Sequence, residues 1–281
     1  MPTVVGIAGF TGKFAQCVAQ ELQAYTDVTI RGYCRSPDKL PQSVLKEYGI
    51  EVIKGDYDDK NSIQKFVRGT DIVICCYFGS PDVMTRGQML LVDACEEAGV
   101  PRYVPSDFAV DFTKIPTGTL FPKESTKIIM EYLSSKKVDG VHILVGGLME
   151  TFWSEFFQIW DPETQSMAVW GSGNDAWDLT SYKTAAAYTA AVTMDPSAVG
   201  VFRCKLFLSR QFLPLISSHG IQLTILVLGD HKSASEIKEI FENVYHSELR
   251  LDRLGSIDDL FNTVQAEFAK NRDDISKWAP Q

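Results

Sequence analysis

Residues 3–12, TVVGIAGFTG, decide how this chain is read. A short run with β-branched side chains reads as a buried strand. The glycine-punctuated turn after it leads into KFAQCVAQELQAY at 13–25, whose apolar residues recur at helical spacing. The expectation is a strand, a phosphate loop and a helix. A dinucleotide's pyrophosphate would sit almost on the backbone there, at the positive end of the helix, where a Cβ would block it. On this reading Gly6 allows the tight turn, Gly9 the close approach of the phosphate and Gly12 the packing of helix on strand, with Phe10 and Thr11 completing the loop. The spacing is GxxGxxG rather than GxGxxG, so the residues that follow must carry the assignment.

They do so in order. DVTIRGYC at 27–34 reads as a second strand, with Arg35 at its end and Lys39 close behind. In a dinucleotide fold an acidic residue at this place accepts the ribose 2′-hydroxyl of NAD, and a basic one accommodates the 2′-phosphate of NADP. NADP(H) is therefore the expected cofactor. A third short strand at 51–54 is followed by Gly55 and Asp56, and a helix is expected near 61–68. The run DIVICCYF at 71–78 is almost wholly apolar, as befits a parallel strand covered on both faces, and it ends at Phe78 and Gly79 on the edge where such sheets bind ligands. A helix from residue 84 carries Gln88, which is counted with Asp56 among the candidate cofactor-binding residues, and RYVPSDF at 102–108 gives a fifth strand and its loop.

This alternation predicts an α/β fold, a doubly wound parallel sheet of Rossmann type, with an NAD(P)-binding domain over 1–147. A smaller C-terminal α/β substrate lobe is expected over 148–281, some of its segments returning to the sheet. Its aromatic-rich start, LMETFWSEFFQIW, reads as core more than pocket. SYKTAAAYTAAV at 181–192 reads as a helix, Ser233 and Glu236 form a capping box ahead of another, and 257–270 is amphipathic.

A net charge of −9 argues against nucleic acid or an anionic membrane surface as partner, so any anion must be held by local geometry. The six cysteines show no CxxC spacing and the four histidines no ligand spacing, so no metal site is expected. The chain enters its first strand without a leader, and a reduced, cytoplasmic setting is the expectation.

Several separated segments together resemble one family, the NmrA-like and isoflavone-reductase-like branch of the atypical short-chain dehydrogenases. They are GIAGFTG, the Arg35 turn, GDYDD with Asp56, Gln88 in a helix ending EEAGVPRYVPSDF, Lys127 with Glu131 in KIIMEYL, HILVGGLMETFW, WGSGNDAWDLTS, and LGD followed by SASEI. The resemblance implies an NADP-binding domain and a substrate lobe. Reductases of the family use a helix lysine beside the nicotinamide, whereas members of the NmrA type bind the dinucleotide as redox sensors that act through a protein partner. Chemistry agrees on the lysine, because hydride addition to a carbonyl, an enone or a quinone methide builds charge on oxygen that an ammonium can stabilise or protonate. Lys123 and Lys127 lie one turn apart, and the spacing to Glu131 favours Lys127. Tyr132 and Lys136 form a YxxxK pair, which falls too late on the helix to serve.

Three functions follow for testing: an NADPH-dependent reductase of a small aromatic or conjugated substrate, a non-catalytic sensor, and an inactive product of an altered gene. The last arises from two departures. Residues 204–227 interrupt the family pattern. As a membrane span they are poor, since Arg210 alone costs roughly 2.5–3.5 kcal/mol near a bilayer centre. They read as an insertion, whose ends can be encoded as splice sites of a translated intron. The chain also stops at Trp278–Gln281, short of the relatives' last helical segment.

Overall fold

β1 (Thr3–Ala8) lies inside a parallel sheet, paired with β2 (Val28–Cys34) on one side and β4 (Ile72–Cys75) on the other. The computed structural model describes residues 2–203 and 230–270. With β3 (Glu51–Lys54), β5 (Arg102–Val104), β6 (Asp139–Leu144) and β11 (Gly200–Arg203) the sheet has seven strands in the order β11-β6-β5-β4-β1-β2-β3. All six pairings are parallel.

Successive side chains of these strands point to opposite faces, and both faces are apolar. Ile72 and Ile74 of β4 enter one core with Val5 and Ile7, while Val73 and Cys75 enter the other. The first core is closed by α1 (Lys13–Leu22) and α7 (Tyr182–Met194), whose Ala185, Ala186 and Ala190 bring the two helices close. The second is closed by α3 (Lys60–Val67), α4 (Gln88–Ala98) and α5 (Glu124–Ser134).

Two boundaries differ from the sequence expectation. The fourth strand stops at Cys75 and not at Phe78, because its neighbour β1 ends at Ala8 and turns away; Cys76 N–H still reaches Ala8 O at 2.9 Å. Val83–Gly87 form a π-helical turn before α4, where Gly87 lies against the Tyr57 ring.

The remaining strands make two small sheets. β12 (Asp230–Ser233), β10 (Ala176–Thr180) and β7 (Gly147–Leu148) form one; β13 (Arg250–Gly255), β9 (Ser166–Trp170) and β8 (Trp160–Asp161) form the other. Their core is Met167, Val169, Ala234 and Leu249, ringed by Trp153, Trp160, Trp177 and Phe241, so the aromatic-rich stretch does supply packing. The capping box at Ser233 and Glu236 is formed at the start of the helix Ala234–Tyr245, and a second helix spans Ile257–Lys270. Among the described residues no helix is long and apolar enough to cross a membrane, and no three His, Cys, Asp or Glu side chains converge to hold a metal ion. The insertion at 204–227 and the residues 278–281 lie outside the described residues.

Candidate functional site

The order of strands places a topological switch at β1, flanked by β4 and β2, and the crevice beyond the carboxyl ends of these strands is where such sheets take ligands. Residues expected to bind the cofactor follow those ends: the loop 9–12 after β1, Arg35 and Lys39 after β2, Asp56 after β3, Phe78 and Gly79 after β4.

The three glycines are used differently from the sequence reading. Gly6 is not in the turn; it lies within β1, where a Cβ would sit 3.0 Å from the Phe66 ring, so it lets α3 pack on the sheet. Gly9 makes the turn, at φ +79°, and a Cβ there would lie 2.5 Å from the Cys76 carbonyl oxygen. Gly12 is the N-cap of α1 and bonds back to Gly9 O at 2.9 Å. No side chain caps this helix and none in its first turn is acidic, which leaves its first amides and its positive end for an anion.

Phe10 contributes only backbone, because its ring is 2% exposed and packs under Gly32. Thr11 stands at the surface of the loop, its carbonyl accepting from Gln16 Nε2 at 3.1 Å. Arg35 and Lys39 are exposed, and neither cationic head has a hydrogen-bond or ion-pair partner among the described residues. Asp56 is exposed too; its backbone carbonyl accepts from Tyr33 Oη at 2.6 Å. Phe78 is 73% exposed and meets Phe156 edge-on at 6.1 Å, joining the sheet edge to the aromatic stretch.

Gln88 is tied into the fold. It is 1% exposed, its Oε1 accepts from Ser106 N–H at 3.0 Å and its Nε2 donates to Met84 O at 2.8 Å. It therefore braces α4 against the end of β5. Ser106 in turn donates its Oγ proton to Tyr77 O at 2.7 Å, which ties the end of β5 to the end of β4.

The two candidate lysines are set apart by their surroundings. Lys127 donates to Glu124 Oε1 and to Pro116 O, both at 3.0 Å. It lines a cavity of about 400 Å³ with Phe112, Thr113, Ile115 and Thr117, which contains none of the glycine-loop residues. Lys123 is half-buried on the turn before α5, and burial pushes its ammonium below its ordinary value, opposed by the charge of Asp107. Asp107 immediately follows Ser106. Tyr132 and Lys136 are not at the edge: both bond Asp93 Oδ1 at 2.6 Å and fasten α5 to α4.

Sequence reasoning passed over the polar group behind Lys123. Asp107 is 1% exposed, and His142 Nδ1–H donates to its Oδ2 at 2.5 Å. The signal was available in VHILV, where His142 is a lone polar residue within an apolar strand. Phe14 and Phe108, with ring centroids 4.7 Å apart, add to the aromatic lining beside α1, and Phe14 also meets Tyr182 at 5.9 Å.

Fold and site together define a doubly wound, Rossmann-like protein with its ligand edge at the glycine loop. The chain belongs to the NmrA-like family, which residues 1–207 match. It is 33% identical over 126 residues to the isoflavone reductase homolog IRL of Zea mays, covering 43% of this chain and 39% of that protein. To the isoflavone reductase homolog P3 of Arabidopsis thaliana it is 26% identical over 204 residues, covering 69% and 64%. The matched stretches thus span less than two thirds of these relatives' lengths. In structure it resembles AtPrR2 solved with NADP+ and (+)pinoresinol, at a TM-score of 0.71, 18% identity and coverage of 99% of this chain and 85% of that one.

Proposed function

We propose that the chain is an NADPH-dependent reductase of a small aromatic or conjugated substrate. The observation that carries this reading is the convergence at one sheet edge of an uncapped helix start, two unpartnered cations, an exposed aromatic and a partly buried lysine. The names of the relatives, reductase homologs, and the NADP+ held by the structural neighbour support it.

In this reading the amides after Gly12 and the loop through Phe10 and Thr11 hold the pyrophosphate. Arg35 and Lys39 take the 2′-phosphate, Asp56 faces the adenosine, and Phe78 with Gly79 flanks the cofactor. NADP(H) supplies or accepts the hydride. Lys123 takes the role that sequence spacing assigned to Lys127, because its ammonium lies by the loop after β5, whereas Lys127 is spent on Glu124 and Pro116. Phe78 and Phe156 offer a flat apolar surface on which an aromatic substrate can stack.

Purified protein given NADPH and a panel of enones and quinones should consume NADPH, followed by its absorbance. Lys123→Ala should lower turnover by about 10²- to 10⁴-fold, the usual weight of general acid–base catalysis, with NADPH affinity retained. Lys127→Ala should leave turnover nearly intact. Loss of turnover in Lys127→Ala alone would restore the sequence assignment. Binding of NADP+ and NADPH without turnover on any substrate would favour the sensor, with a protein as its partner.

A further inference from the structure

Behind Lys123 lies a group that the proposed function does not use. Asp107, on the loop after β5, is 1% exposed; its Oδ2 accepts from His142 of β6 at 2.5 Å, and its Oδ1 is buried without a hydrogen-bond partner among the described residues. A buried carboxylate oxygen left unpaired bears its full desolvation cost, so a partner for it is expected. Besides His142, the side chain whose charge bears on Asp107 is Lys123.

We propose that Asp107 is the positioning residue for Lys123. His142 fixes one carboxylate oxygen and thereby aims the other, Oδ1, at the Lys123 ammonium, which it keeps protonated and turned toward the substrate oxygen. This rests on the reductase reading for its chemistry. When hydride reaches the substrate carbon, the π pair moves to oxygen and that oxygen takes a proton from Lys123. The amine left behind regains its proton from solvent.

The groups around Asp107 define what the carboxylate can do. From β6 it meets His142, from the turn before α5 it feels the charge of Lys123, and from β4 it acts on Cys75, whose thiol burial pushes up to about 12 with the Asp107 charge adding to the rise. Cys75 is thus neutral at physiological pH, and on α5 Glu124 and Lys127 bond each other. Lys123 therefore has Asp107 as its acidic neighbour. Burial pushes the Asp107 carboxyl above the usual carboxylate range, and the His142 hydrogen bond and the Lys123 charge oppose that rise.

The test reads Lys123 directly. Lysines of the full chain are methylated with ¹³C-formaldehyde, which preserves their charge, and the Lys123 signal is assigned by its absence in Lys123→Arg. In Asp107→Asn the Lys123 titration midpoint should fall by about 1 to 3 pH units, the usual effect of one close opposite charge. Asp107→Glu should recover part of the fall. An unmoved midpoint in Asp107→Asn overturns the proposal. Should that variant not fold, His142→Leu, which loses the N–H donor, should lower the midpoint relative to His142→Gln, which keeps one. Equal midpoints in that pair overturn the proposal as well. NADPH consumption is measured on the same samples. A shifted midpoint in protein that turns nothing over sinks the reductase reading and leaves the pairing standing, while turnover with an unmoved midpoint sinks the pairing alone.

Discussion

The seven-stranded sheet and the two small sheets beyond Leu144 are built from similar residue types and hold together differently. In the large sheet both faces are covered, and Tyr33, Phe66, Tyr103 and Ile129 are almost wholly inaccessible. Among the described residues of the small sheets, Met167, Val169, Ala234 and Leu249 make a buried cluster, and Ile240, Val244, Tyr245, Ile257 and Phe261 of the flanking helices are exposed. A parallel strand buried on both sides tolerates no change of shape at its end, whereas a two-layer lobe can give. On the proposed function, the edge that would take the cofactor is therefore rigid, and the lobe that would meet the substrate is free to vary.

The sharpest way to break this comparison is with two glycines of like backbone. Gly9 and Gly173 have φ of +79° and +78°. Alanine at Gly9 would place Cβ 2.5 Å from the Cys76 carbonyl, while at Gly173 the nearest atom is 3.8 Å away. Both pay about 1–2 kcal/mol for a left-handed alanine, and Gly9→Ala adds roughly 1–3 kcal/mol of overpacking against backbone. Chemical denaturation should show Gly9→Ala less stable than Gly173→Ala by that difference, and NADPH affinity should fall only in Gly9→Ala. Equal losses would mean that the loop after β4 yields as readily as the lobe.

The same contrast explains what could be read from the sequence. The strand–loop–helix, the basic end of β2 and the all-apolar fourth strand were legible because each is a local pattern with one physical solution. The division of labour among Gly6, Gly9 and Gly12 was not, since it depends on Phe66 and Cys76 arriving from elsewhere in the chain. Gln88 entered through its place in a segment that matches the family, and only the fold shows that Ser106 and Met84 engage its amide. The surroundings of Lys123 and Lys127 were not legible either, since Asp107 and Pro116 come to them from the segment after β5.

A medium effect is expected at the β11 edge of the large sheet. Arg203, the last residue of β11, donates to Asp111 Oδ2 at 2.7 Å. Burial would raise the Asp111 carboxyl, but the hydrogen bonds from Arg203 and Thr113 win and hold it down to about 2. A carboxylate depressed below its unfolded value of about 3.9 contributes stability that is full above that pH and is lost as pH falls toward 2. The contribution is roughly 1 kcal/mol once solvent screening around the partly exposed Arg203 is allowed for. Acid titration of unfolding between about pH 4 and pH 2 should therefore be flatter in Asp111→Asn than in the parent. Identical slopes would show that this ion pair adds nothing to the edge of the sheet.

The smallest effect belongs to the lobe alone. Ser233 Oγ accepts from Glu236 N–H at 3.2 Å, and Glu236 Oε2 accepts from Ser233 N–H at 2.9 Å, closing the box that the sequence announced. Ser233→Ala removes one of these bonds at the start of a helix whose side chains bury little beyond Ala234. A lost cap costs about 0.5–2 kcal/mol, and here the low end is expected because water can reach the freed amide. Hydrogen exchange should quicken at the amides of the first turn of Ala234–Tyr245 and remain unchanged in β1 and β4. If the slow amides of the large sheet loosened as well, the lobe and the sheet would open as one unit, and the contrast drawn between them would have no energetic content.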